Sequence, residues 1–147
     1  MKIKYWCNII LGVLLIGCGV TTRNYSNRPP FSNSVGKEVT LKRSQIIWEK
    51  FQKCEYGIIS YTMESPENSY LSNSARRVIT LPAGAKILVE KVVRQDVHST
   101  LSSSAVYALC RTEMPDGSVI RFEYNWGLLG DIKMAPWEAS GLGERHY

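Results

Sequence analysis

Alternation of apolar and polar residues is the clearest pattern along the middle of the chain. In residues 119–124, Ile120 and Phe122 would share one face of an extended segment, while Arg121 and Glu123 would face water. This is the pattern of a β-strand with one buried face. Further segments rich in Val, Ile, Tyr and Thr occupy 39–42, 57–63, 77–81, 86–93 and 105–111. No long helical stripe competes with them, so the pattern predicts an all-β domain.

Two turn sequences connect the predicted strands. Residues 114–117 read Met-Pro-Asp-Gly, which places proline where its fixed φ suits a type I turn and glycine where a positive φ is needed. This predicts a hairpin between strands 105–113 and 118–125. Residues 81–85 read Leu-Pro-Ala-Gly-Ala and predict a second tight turn. Short antiparallel strands without helices are most economically arranged as a small barrel or sandwich.

The amino terminus has a different pattern. Two lysines precede the apolar stretch 9–16, and Leu15-Ile16-Gly17-Cys18 closes it. A positive segment, a short apolar segment and a small residue before a cut are the anatomy of a secretory signal. The four closing residues resemble the lipobox of bacterial lipoprotein signals. The resemblance implies that Cys18 receives a diacylglycerol, that residues 1–17 are removed, and that the new amino terminus is acylated.

A membrane-spanning anchor formed by residues 5–17 is the alternative. This run is shorter than the roughly 20 apolar residues that cross a bilayer, and Asn8 interrupts it. Lipid attachment accounts better for so short a segment, because each buried acyl CH₂ contributes about 0.8 kcal/mol and two or three chains hold a protein firmly. Gly19, and not Asp, follows Cys18. By resemblance to enteric-type signals, this implies the periplasmic face of the outer membrane.

Removal of the signal leaves one domain and its connections. Residues 18–34 are rich in Ser, Thr, Asn and Pro, and are predicted to be a flexible tether with a reach of about 20 Å. The β domain is expected over 35–139, and a mobile tail over 140–147. The formal net charge of +5 includes two lysines of the signal. Without a basic stripe or a nucleic-acid motif, DNA or RNA is not expected as a partner.

The cysteines take separate roles once export is assumed. Cys7 would leave with the signal and Cys18 would carry lipid, so Cys54 and Cys110 remain as one pair. Outside the cytosol this arithmetic predicts a disulfide. On the chain-entropy model the bond would contribute up to roughly 4 kcal/mol. Two buried reduced thiols are the alternative.

Residues 77–93 carry a strand, the sequence Leu-Pro-Ala-Gly-Ala-Lys, and a second strand. With the hairpin that follows, this order resembles the middle of bacterial SH3-like domains. The resemblance implies a small antiparallel SH3-like barrel, with a small β-sandwich as the alternative. Family members that bind cell-wall peptide usually carry an Asn-Val-Arg-x-Gly-Pro segment after the first strand. Residues 43–50 read Arg-Ser-Gln-Ile-Ile-Trp-Glu-Lys instead, so the resemblance implies the fold but not peptidoglycan binding.

Residues that carry chemistry are sparse. The two histidines are His98, in a polar Ser-rich region that also contains Asp96, and His146, and a metal site needs more ligands than these. The chain has no Gly-x-Ser-x-Gly elbow and no phosphate-binding loop. The sequence therefore predicts a protein that is not an enzyme and has no metal or cofactor.

Trp126 and Trp137 are candidate contacts for a partner. The favoured interpretation is that their rings fill one end of the barrel. The leading functional hypothesis is a lipid-anchored binding or structural module for a protein or cell-wall partner, such as peptidoglycan, in the envelope. The alternative is an inhibitor or exclusion lipoprotein that blocks a lytic enzyme or a phage receptor through the polar loop 64–74.

Overall fold

The computed structural model describes residues 19–51, 58–67, 74–98 and 103–138. These residues form a mixed sheet of nine strands that does not close, and one 3-10 turn at Phe31–Asn33. The predicted all-β fold class is confirmed. The strands are β1 Gly19–Asn24, β2 Lys37–Thr40, β3 Gln45–Lys50, β4 Tyr61–Glu64, β5 Ala75–Leu81, β6 Lys86–His98, β7 Ser103–Glu113, β8 Val119–Leu128 and β9 Asp131–Ile132.

The strand order is β1-β6-β7-β8-β4-β3-β5, with β2 also on β6 and β9 also on β8. Neighbouring strands are antiparallel except β4 and β8, which run parallel with Thr62 opposite Glu123. The sheet is therefore mixed, whereas the prediction was a wholly antiparallel arrangement. The hairpin of β7 and β8 is confirmed, and its turn closes with a 2.7 Å hydrogen bond from the Met114 N–H to the Ser118 carbonyl. Gly117 has the expected positive φ, 82°.

The second predicted turn is present at 81–85, where the Ala85 N–H donates to the Pro82 carbonyl at 3.1 Å. The strands on either side of it do not pair with each other. β5 pairs with β3, whereas β6 pairs with β1, β2 and β7. The turn therefore moves the chain from one part of the sheet to another. Two hydrogen bonds, Gly84 N–H to Leu41 O and Leu41 N–H to Ala85 O, fix it to the segment after β2.

β6 is the longest strand, and two strands share one of its edges. β1 pairs with its second half, ending at Asn24 opposite Val93, and β2 pairs with its first half, from Lys37 opposite Val89. Between them, residues 25–36 leave the edge. The main chain of Val92 stays paired because its N–H donates to Ser26 Oγ at 3.0 Å and its carbonyl accepts from the Tyr25 N–H at 2.9 Å.

The core is centred on four aromatic residues, which we call the aromatic cluster: Phe31, Tyr124, Trp126 and Trp137. Their rings meet edge to face, with centroids 5.0 Å apart for Phe31 and Trp126 and 5.2 Å for Trp126 and Trp137. Trp126 is 1% exposed and Trp137 is 7% exposed. The Trp137 indole N–H donates to Ser34 Oγ at 3.3 Å. The interpretation as core-filling rings is confirmed, and the alternative that they are exposed partner contacts is wrong.

The prediction of a flexible tether over 18–34 is wrong for the residues described. Residues 19–24 are strand β1, and Tyr25 and Phe31 are buried, with Phe31 only 3% exposed. The prediction failed because an edge strand is held by main-chain hydrogen bonds and its side chains can all be polar or exposed. All six residues of β1 are exposed. Cys18 lies outside the described residues.

Glu123 was expected to face water, but it is 3% exposed. Its carboxylate accepts from Lys50 Nζ at 2.7 Å and from the Ile58 and Ile59 N–H groups at 2.5 and 3.0 Å. These donors compensate for the loss of water around the charge. The buried glutamate thus fixes the end of the segment 58–60 to β8.

Cys110 lies on β7 with none of its surface exposed, and its thiol is free in the structure. Burial raises the pKa of the Cys110 thiol far above its usual range. Cys54 lies outside the described residues. The Cys54–Cys110 disulfide therefore stays a prediction.

We expect Phe31→Ala to lower the free energy of unfolding by about 3–5 kcal/mol, because the substitution leaves a cavity against Trp126. Phe51→Ala is the matched control, since Phe51 is 65% exposed, and its change should stay within about 0.5 kcal/mol. Urea unfolding followed by tryptophan fluorescence measures both. Equal effects of the two substitutions would show that residue 31 is not part of the core.

Candidate functional site

A groove lies between the segment that follows β1 and the turn between β8 and β9. Its volume is about 310 Å³. We call it the terminal groove, and its lining residues are Tyr25, Arg28, Pro29, Pro30, Phe31, Leu129, Gly130 and Ile132. Most of this lining is apolar, which is typical of sites that bind apolar or aromatic groups.

The fold builds the groove floor from the core. Phe31 lines the groove and also packs on Trp126, so the floor is supported by the aromatic cluster. Ile132 of β9 is half-buried and packs against the same core. β9 is held on β8 through the pairing of Gly127 with Ile132. Gly127 has φ 122°, and a Cβ there would lie 2.4 Å from the Asp131 carbonyl oxygen, so only glycine fits.

The polar part of the groove is an arginine stacked on a tyrosine. The Arg28 guanidinium lies 4.5 Å from the centroid of the Tyr25 ring, a cation–π geometry. Arg28 is exposed, and no carboxylate of the described residues forms an ion pair with it. The groove therefore presents a positive charge with free hydrogen-bond donors beside an apolar floor.

A buried hydrogen-bond network fixes the position of the Tyr25 hydroxyl. Arg94 on β6 donates through Nη1 to the Tyr25 hydroxyl at 2.9 Å, through Nη2 to Ser104 Oγ at 3.1 Å, and through Nε to Asp96 Oδ1 at 2.5 Å. The Ser104 hydroxyl donates to the same carboxylate oxygen at 2.5 Å. Arg23 of β1 adds an ion pair to Asp96 Oδ2 at 3.6 Å. The network ties three strands and the groove wall together.

The same contacts set the charge state of Asp96. The hydrogen bond from Ser104, followed by the hydrogen bond and charge of Arg94, holds the pKa of the Asp96 carboxyl below its ordinary value, although burial opposes the shift. Asp96 is 5% exposed. Its carboxylate is therefore ionised and occupied by three partners, which is the arrangement of a structural anion. The side chain of His98 lies outside the described residues.

The turn between β8 and β9 forms the other wall. Leu129 lines the groove, and its N–H donates to the Ser104 carbonyl at 2.9 Å. The neighbouring Leu128 is 52% exposed and Leu129 is 45% exposed. Gly130 has φ 100°, which lets the chain turn into β9 within two residues. This wall is therefore a short hairpin whose tip carries apolar side chains toward solvent.

The structure does not bring the site residues that were predicted from the sequence together in one place. Trp126 and Trp137 are buried in the aromatic cluster and do not lie on the surface, while Cys18 and Cys54 lie outside the described residues. The groove residues Tyr25 and Arg28 were missed because they fall in the predicted tether. The run Pro29-Pro30-Phe31, a large apolar residue inside a polar segment, was the signal that could have identified them.

No family model, curated protein or solved structure matches this chain significantly. The SH3-like and lipoprotein resemblances therefore stay predictions, and the site is argued from its geometry. Within the described part of the chain no group of three or more His, Cys, Asp and Glu side chains is placed to hold a metal ion. None of the helical residues in that part makes a helix long and apolar enough to cross a membrane.

We expect Asp96→Asn to lower the free energy of unfolding at pH 7 by about 2 kcal/mol, because hydrogen bonds to a charged group are lost. The pKa of Asp96 is lower in the folded state, so its contribution is complete well above the ordinary carboxyl pKa of 3.8. The contribution disappears as the pH falls through the folded-state pKa. Urea unfolding from pH 7 to pH 3 should show the two proteins converging below about pH 4.

Asp131→Asn is the control for this experiment, since Asp131 is exposed at the start of β9. Its unfolding free energy should follow that of the wild type within about 0.5 kcal/mol. A difference between wild type and Asp96→Asn that stays constant down to pH 3 would contradict the assignment of Asp96 as an ionised member of the network.

Proposed function

We propose that this chain is a lipid-anchored lipoprotein of the bacterial envelope whose β domain is a non-enzymatic binding module. The terminal groove is its binding site. The observation that carries the proposal is an apolar groove floor beside the exposed Arg28 guanidinium, in the segment that follows β1. The lipobox at Leu15–Cys18 supplies the anchor, and Gly19 favours the periplasmic face of the outer membrane.

The composition of the groove supports binding. Tyrosine and arginine are the residues that most often contribute large binding energies at interfaces, because each combines apolar surface with hydrogen-bond donors. Arg94 holds the Tyr25 hydroxyl in place at 2.9 Å. A wall fixed in this way loses little side-chain entropy when a partner binds. A partner with an apolar or aromatic group beside a carboxylate or phosphate would fill both parts of the groove.

The position of β1 narrows the class of partner. Gly19 is the first residue of β1 and follows Cys18 directly. A lipid on Cys18 would therefore hold the sheet at the bilayer without a spacer. The groove wall at Leu129 is bonded to Ser104 at that same end of the sheet. This geometry favours a membrane protein of the envelope over peptidoglycan, because its partner has to reach the groove close to the lipid surface.

The inhibitor or exclusion hypothesis depends on the loop 64–74. Residues 68–73 of that loop lie outside the described residues, and the described residues on either side add no observation in its favour. It stays an alternative from the sequence alone.

We expect metabolic labelling with alkyne palmitate to mark the wild-type protein and not Cys18→Ala, since the thiol of Cys18 is the acceptor in lipoprotein processing. In-gel fluorescence of the purified protein measures the label. Cys110 cannot substitute for Cys18 because it is fully buried. Equal labelling of both proteins would overturn the anchor.

We expect p-benzoylphenylalanine in place of Arg28 to crosslink to an envelope protein when intact cells are irradiated. The same group in place of Val119, which is 55% exposed in the β7–β8 hairpin region, is the matched control. Mass spectrometry identifies the adduct. A second sample carrying Cys18→Ala should lose the adduct because the groove is no longer held at the membrane. Identical adducts from positions 28 and 119 would contradict the groove as the binding site.

A further inference from the structure

The ends of four adjacent strands meet where the chain emerges from Cys18. Gly19 of β1 lies opposite His98 at the end of β6. β7 begins next to this point, with Ser103 opposite Val97, and β8 ends beside it, with Leu128 opposite Ala105. We call this end of the four strands the anchor end. The turn between β8 and β9 belongs to it through the 2.9 Å hydrogen bond from Leu129 to Ser104.

The anchor end carries large apolar side chains in contact with solvent. Val20 is 45% exposed, Leu128 is 52% exposed and Leu129 is 45% exposed. Val20 and Leu128 also share one face of the sheet. Val20 pairs with Val97 and Val97 with Ser103, while Leu128 pairs with Ala105, two residues further along β7. Val20, Leu128 and Leu129 thus expose apolar surface at one end of the sheet, and we call these three side chains the apolar rim.

The rim lies close to the proposed lipid. β1 and β8 are three strand spacings apart, which is about 14 Å. Cys18 is the residue before β1, and Leu128 is level with Thr22 through Ala105 and Gln95. With this offset along the strands, an acyl chain on the Cys18 sulfur would enter the bilayer within roughly 20 Å of Leu128.

We infer that the anchor end docks on the phospholipid bilayer, with Leu128 and Leu129 inserted among the headgroups, so that the strands stand away from the membrane. This inference rests on the proposed function, because it needs the lipid on Cys18. Once the anchor is in place, the apolar rim is held at the membrane surface. Insertion of these side chains removes them from water without a separate cost of bringing the protein to the bilayer.

The opposite end of β8 provides the matched comparison. Val119 begins β8 and Leu128 ends it, so the two positions are about 30 Å apart along the strand. Their exposures are 55% and 52%. Segments that lie in the interface enter about 5–10 Å into the headgroup region. In the docked orientation residue 128 reaches lipid and residue 119 does not.

The test uses the full acylated protein in vesicles of phosphatidylethanolamine and phosphatidylglycerol. p-Benzoylphenylalanine replaces Leu128, Val119 or Val20 in three separate proteins, and mass spectrometry after irradiation measures phospholipid adducts. Position 20 is the positive control, because it lies two residues from the acylated cysteine. We expect adducts at positions 20 and 128 and none at position 119.

The outcomes separate the docking from the anchor. Adducts at position 20 with equal yields, or none, at positions 128 and 119 would overturn the docked orientation and leave the anchor intact. Crosslinks from position 128 to a second copy of the chain would overturn it in favour of self-association. Failure of the wild type to float with vesicles, together with no adduct at position 20, would overturn the anchor and the docking together.

Discussion

Burial of Trp126 by rings from separate parts of the chain is the interaction on which the rest of the structure depends. Phe31 comes from the segment between β1 and β2, and Trp137 comes from the segment after β9. Each edge-to-face pair adds about 0.5–1.5 kcal/mol beyond the burial of apolar area. Two segments that are far apart in the sequence are therefore fixed to β8. The terminal groove exists because Phe31 is held in this position, since the same ring forms its floor.

Main-chain pairing then decides how Phe31 reaches the core. The segment carrying it has to leave the edge of β6, and the vacated main chain of Val92 would lose its partners. Ser26 and Tyr25 supply them, which explains why Ser26 is buried although its side chain is polar. The Tyr25 side chain, pointing to the Arg94 network, then becomes a groove wall. The segment that leaves the sheet edge thus supplies the core ring of Phe31, the hydrogen-bond partners of the Val92 main chain, and the Tyr25 wall of the terminal groove.

The parts of the fold that sequence reasoning predicted are those where one residue type has one physical role. Gly117 requires a positive φ and marks the hairpin, and the alternation of Ile120, Phe122 and Tyr124 marks a buried face. Sequence reasoning failed where the burial of a residue depends on partners that are distant in the sequence. Glu123 reads as a solvent-facing charge until Lys50 and two main-chain donors are placed beside it. The strand at 19–24 has no apolar periodicity, because β6 holds it through the main chain.

Residues 19–24 form a strand and not the expected flexible tether. This changes how freely the domain would move if a lipid were attached to Cys18. A flexible segment of 16 residues would let the domain sample about 20 Å and every orientation. If Cys18 carried a lipid, β1, which includes Gly19, would orient the sheet relative to that lipid, so the fold would determine which side chains meet it. The groove wall at Leu129 is then presented at a nearly constant height and direction. On the proposed function, a partner confined to the same membrane would meet a groove that is already oriented, and this would reduce the rotational entropy lost on binding.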